Sequence, residues 1–155
     1  MRAWFTVLLT FKIVDGVSSG MVKPMMVDMG ISTASIGLWA SVLGSVASLV
    51  GAALAAWLLK RMAHHNALIA FNALQVATTA LYVGVAVGFE HPSWLGFDSQ
   101  AQSVAFWWAY AANAIEHLAG AMALVAMLTM IMHYARHDKA GSDFTTQVCL
   151  LTVFS

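Results

Sequence analysis

Apolar positions run along the chain in long blocks rather than alternating with polar ones. Four blocks match the roughly 20 residues a helix needs to cross a bilayer. They cover approximately 3–27, 35–59, 67–89 and 104–134. A fifth opens at Thr145, with Asp143 in the N-cap position, and reaches Ser155 after about half a span. The pattern predicts an all-α polytopic membrane protein with four complete transmembrane helices and the start of a fifth. The 104–134 block is long for a hydrocarbon layer of roughly 30 Å, so it is expected to tilt or to run on into the cytoplasm. A half-finished helix leaves backbone groups unpaired in lipid. Residues 1–155 are therefore expected to be a fragment or a truncated frame of something longer.

Polar residues interrupt these blocks in stripes. In the first helix Lys12, Asp15, Ser19 and Lys23 fall in one sector, flanked by Gly16 and Gly20. A charge at the bilayer centre costs about 2.5–3.5 kcal/mol on insertion scales. Lys12 and Asp15, three residues apart, partly offset each other, while Lys23 snorkels from the outer end. Such a pair marks a water-filled cavity or a partner helix. The fourth helix repeats the theme with Asn113, Glu116 and His117. Two helices with midplane charges point to a solute or proton pathway rather than to a plain anchor. The third helix carries the milder stripe Asn72, Gln75 and Thr79, suited to interhelical hydrogen bonds. The second presents Gly37, Ser41, Gly44, Ser48, Gly51 and Ala55 on one face, a small-residue stripe that lets another helix approach closely. Gly84 and Gly88 repeat that spacing in the third.

Composition agrees with a bilayer. The chain has 155 residues, 61% hydrophobic and 9% charged, against roughly 45–50% and about 25% in soluble domains. A net charge of zero gives no reason to expect nucleic acid. The one cysteine, Cys149, cannot close an internal disulfide. The N-terminal stretch lacks the small-residue cleavage site of a signal peptide and is expected to remain as a helix. Lys60 and Arg61, with His64 and His65, follow the second helix; Arg136 and Lys139 follow the fourth. The loops DMGISTAS and HPSWLGFDSQAQS contain no Lys or Arg. The positive-inside rule puts the N-terminus and both basic loops in the cytoplasm. Trp4, Trp57 and Tyr134 then fall at the inner interface, and Trp39, Trp94, Trp107 and Trp108 at the outer one.

The segments FKIVDG, KPMMVDMGIS, IEHLAGAM and HDKAGSDFTTQ resemble the C-terminal half of major facilitator superfamily transporters. The nearest likeness is to the muropeptide permease and acetyl-CoA transporter group, and within it to siderophore importers of the rhizobactin and pyochelin type. The resemblance implies that the five helices correspond to the seventh to eleventh of twelve. It makes Lys12, Asp15 and Glu116 the charged cavity positions, and Asp143, Thr145 and Gln147 the polar start of the eleventh helix. LLKRMAHHNAL would be the gating loop, a degenerate one. Lys60 stands at the acidic position beside Arg61, Ala63 replaces the glycine, and His64 and His65 replace arginines.

The expected function is secondary active, proton-coupled transport across the bacterial inner membrane, with an Fe(III)-siderophore as the solute. A muropeptide-like or acyl-CoA-like solute, or a non-transporting fragment, is the alternative. The partners implied are the lipid bilayer, the solute and the missing N-terminal half. No cofactor or metal is expected, and no enzymatic activity. Six histidines invite a haem, but His117 and His133 point about 160° apart on an ideal helix, and C-x-x-C-H is absent.

Overall fold

The computed structural model describes residues 16, 20, 22–90, 101–135 and 139–153. Among these the structure is all-helical, with helices α1 (22–28), α2 (Thr33–Leu59), α3 (His64–Glu90), α4 (Ala101–Tyr134) and α5 (Ala140–Val153). Three of them, α2, α3 and α4, are long and apolar enough to cross a membrane. The 3–27 block lies mostly outside the described residues. Apolar content marks only what sits in hydrocarbon, so α2, α3, α4 and α5 each begin two to five residues before the sequence estimate. Two expectations are corrected by this. His64 and His65 form the first turn of α3 rather than a loop. Asp143 is not the cap of α5 but lies in its first turn, its N–H bonded to Lys139 O at 3.0 Å. A carboxylate there still faces the positive end of the helix dipole.

The turn from α1 into α2 is a Schellman motif. Ile31 N–H donates to Met26 O at 3.1 Å and Gly30 N–H to Val27 O at 2.9 Å, with Gly30 at φ 85°. Met26 and Ile31 belong to one buried cluster, supplying the apolar contact that accompanies this motif. Ser32 then caps α2, its hydroxyl accepting from Ser35 N–H at 3.2 Å. Because a side chain at Gly30 forces an L-residue into the left-handed region, Gly30→Val should cost about 1–2 kcal/mol. A lowered thermal midpoint in detergent checks this, with Ala34→Val, on an exposed position of α2, as the neutral comparison.

Helix α4 is the axis of the bundle. It packs along both α2 and α3, which barely touch each other. The α2 contact is made by small residues. Gly51 lies against the backbone carbonyl of Leu118, Gly44 lies under the His117 ring, Ser48 Oγ donates to His117 O at 3.4 Å, and Ala55 is fully buried. The opposite face of α2 exposes Leu38, Val42, Val46, Leu49 and Trp57, as a lipid-facing helix does. Trp39 and Trp57 are both half exposed and are separated by about 27 Å of helix, close to the thickness of the hydrocarbon layer. Trp107 and Trp108 are exposed near the start of α4 and Tyr134 at its end.

Candidate functional site

The interior is layered. Towards the α3 start and the α4 end, Ala67, Leu68, Phe71, Met122, Ala126, Met127 and Ile131 form one apolar cluster with Ala55. At the opposite end Ala109, Tyr110, Ala112 and Tyr82 join residues from the α1–α2 turn in a second. Between the two lie the buried polar residues Gln75, Thr78, Asn113 and Glu116. Gln75 is near the middle of the α3 span and Glu116 in the middle third of the α4 span. The polar layer therefore lies within the long apolar stretches of both helices, where a buried polar group needs a protein partner.

Residues on α4 divide between its two neighbours. Asn113 turns to α2, its Nδ2 donating to Ala40 O at 3.1 Å. Ala40 ends a five-residue π-helical stretch, Ile36–Ala40, and such widened turns occur often at functional sites. Nothing in the sequence pattern signalled it. Glu116 turns to α3, where Gln75 Nε2 donates to its Oε1 at 3.1 Å. One turn on, Gly120 faces the same amide: a Cβ built there would stand 3.3 Å from Gln75 Oε1. A side chain there would crowd the amide and make it give by a few tenths of an ångström.

Sequence reasoning grouped His117 with Asn113 and Glu116. The structure separates them: His117 covers Gly44 with its side chain exposed, while the other two are buried. One residue along a helix is a rotation of about 100°, enough to take His117 out of the layer. Of Asp143, Thr145 and Gln147, only Gln147 is buried. They occupy the start of α5, where Thr145 Oγ1 bonds Gly141 O at 2.8 Å and Gln147 Nε2 bonds Asp143 O at 3.3 Å. Phe144 packs on the Met122–Ile131 cluster. Lys12, Asp15 and Ser19 lie outside the described residues.

Lys60, Arg61, His64 and His65 are exposed and tied to the ends of two spanning helices. The Arg61 guanidinium lies 4.9 Å from the Trp57 ring centroid, and the His64 ring stacks on His133 of α4 at 6.0 Å. In the small-residue stripe, Gly44, Ser48, Gly51 and Ala55 meet α4, whereas Gly37 has open space around it and Ser41 is exposed. Gly84 also has open space around it. Among the described residues no group of three or more His, Cys, Asp or Glu is arranged to hold a metal.

Thr78 of the polar layer and Tyr82 of the cluster beyond it escaped the sequence reading of the site. Tyr82 and Thr78 continue the Gln75 face of α3 at i+7 and i+3, a periodicity the sequence contained. Thr78 and Thr79 both donate to Gln75 O, at 2.9 and 3.0 Å. Gln75 Oε1 and Tyr82 Oη are buried and have no hydrogen-bond partner among the described residues. Searches against protein-family models and solved structures found no match.

Proposed function

We propose that this chain is part of a secondary active transporter of the major facilitator type, contributing helices equivalent to the seventh to eleventh of twelve. The observation that carries the reading is the Glu116 carboxyl group, buried at mid-span and hydrogen-bonded from a second spanning helix. Intramembrane carboxylates are costly to insert and mark ion and proton pathways. In this reading a solute binds between this bundle and a complementary one and is exposed alternately to the two sides. Uptake is driven by the proton gradient through Glu116, with Lys12 and Asp15 facing the same pathway. The chain is no enzyme, the membrane is the bacterial inner membrane, and the solute class is a Fe(III)-siderophore. The solute rests on the resemblance of FKIVDG, IEHLAGAM and HDKAGSDFTTQ alone.

Energised cells making the complete transporter should accumulate an iron-loaded hydroxamate or catecholate siderophore and lose it when a protonophore is added. Accumulation that persists after the gradient has collapsed overturns proton coupling. Orientation is tested separately. With Cys149 replaced by serine and Met62, exposed in the basic loop, changed to cysteine, a membrane-impermeant maleimide should label inside-out vesicles only. Labelling of intact spheroplasts would reverse the topology.

A further inference from the structure

Gln75 is 3% exposed, and its amide is only half used. Nε2 donates to Glu116 Oε1, while Oε1, beside Gly120, has no donor among the described residues. A primary amide lying against a carboxyl group offers two hydrogen bonds side by side. Its N–H donates to one carboxyl oxygen, and its carbonyl accepts the O–H of the acid. An ionised carboxylate makes only the first, because it has no hydrogen to give. Turning the amide over does not remove the problem. The amide oxygen would then face Glu116 Oε1, acceptor against acceptor, and would need the acid's hydrogen still more directly.

We propose that Glu116 is a proton-binding site whose receptor is Gln75: the protonated carboxyl donates to Gln75 Oε1 and keeps the bond from Nε2, closing a cyclic acid–amide pair between α4 and α3. This rests on the reading of Glu116 as the coupling carboxylate and adds its partner. One proton from water adds to the carboxylate, forming its O–H bond, and the charge of that side chain goes from −1 to 0. Loss of the proton leaves Oε1 orphaned again, so the α3–α4 contact differs between the two states by one buried hydrogen bond. Around the pair, α3 brings the hydroxyl of Tyr82, buried and without a hydrogen-bond partner among the described residues. Helix α2 faces α4 with Gly44, Ser48 and Gly51 and no titratable group. His117 on α4 is exposed over Gly44, and Lys23 and Asp28 by α1 are exposed.

Infrared difference spectra of the full chain in nanodiscs, taken between alkaline and acidic pH, test the pair. The chain has four glutamines; carbon-13 labelling of their amide carbonyls shifts those bands out of the backbone region. A carboxyl C=O band should appear on acidification and be missing in Glu116→Gln. A labelled glutamine band should shift with the same midpoint and be missing in Gln75→Leu. In Gln75→Leu the carboxyl band should persist at higher wavenumber, since the acid has lost its acceptor. Circular dichroism confirms that each variant is folded, and the labelled wild type needs no variant at all. A glutamine band that stays still while the carboxyl titrates overturns the pair, as does a carboxyl band unmoved in Gln75→Leu. No Glu116-dependent band across the range overturns the proton site itself. Transport fails separately: a normal infrared titration in a complete protein that accumulates no solute counts against the transporter reading and leaves the acid–amide pair standing.

Discussion

Replacing Gly51 by leucine should separate α2 from α4. A Cβ at Gly51 already runs into the carbonyl oxygen of Leu118, with the Leu118 Cα and carbonyl carbon close behind. Backbone atoms of a spanning helix cannot swing aside, so the helices must part along their length. Overpacking costs typically about 1–3 kcal/mol and occasionally more, and this contact belongs at the upper end. In a detergent melt followed by tryptophan fluorescence the midpoint should fall by roughly 6–12 °C. Three glycines of one stripe make the comparison internal. At Gly44 the obstacle is the His117 ring, an exposed side chain free to rotate away, so Gly44→Ala should cost less than Gly51→Ala. At Gly37 nothing lies within 4 Å, and Gly37→Ala should fall within about 0.5 kcal/mol of the parent. Equal losses at all three positions would mean that the stripe does not meet α4 as described.

Glu116→Gln should abolish gradient-driven accumulation, down to the level of cells lacking the protein, while leaving the bundle assembled. Its amide oxygen still accepts from Gln75 Nε2, so stability should change by no more than about 1 kcal/mol. Glu116→Leu is the harsher change. It strands Nε2 inside the layer, and a buried unsatisfied donor costs about 1–3 kcal/mol. The pair of variants separates a chemical role from a structural one. Loss of accumulation with an unchanged melt in Glu116→Gln assigns the carboxyl group to coupling. Normal accumulation in Glu116→Gln would sink that role, whatever Glu116→Leu does to the melt.

Much of the architecture was legible because lipid makes the rules simple. Long apolar blocks become helices, since no other segment can satisfy its own backbone there, and α2, α3 and α4 follow that rule. The small-residue stripe on α2 signalled close approach, but not where along it α4 would lie. That depends on the crossing of two helices, which a single helix does not contain. Hence Gly44 and Gly51 are in contact and Gly37 is not. The midplane carboxylate was visible as a lone acid in an apolar run. Its partner was harder to see, because Gln75 is one of several polar residues on α3. Asn72 bonds Leu68 O and Thr79 bonds Gln75 O within their own helix. Among the described polar residues of α3 only Gln75 is seen to reach across, to Glu116, with its amide beside Gly120 of the opposing helix. The π-helical stretch before Ser41 had no sequence mark at all; it is matched to Asn113, 73 positions from the Ala40 carbonyl it meets.

The central place of α4 has a consequence for synthesis. Helices α2 and α3 leave the ribosome before α4, yet among the described residues α4 is the main neighbour of each. Until then Gln75 waits in the membrane without Glu116, and the glycine face of α2 without Leu118. These two spans must therefore remain beside the insertion machinery, or in the company of other helices, until α4 arrives. A chain interrupted between Glu90 and Ala101 would hold α2 and α3 without the helix that, among the described residues, joins them.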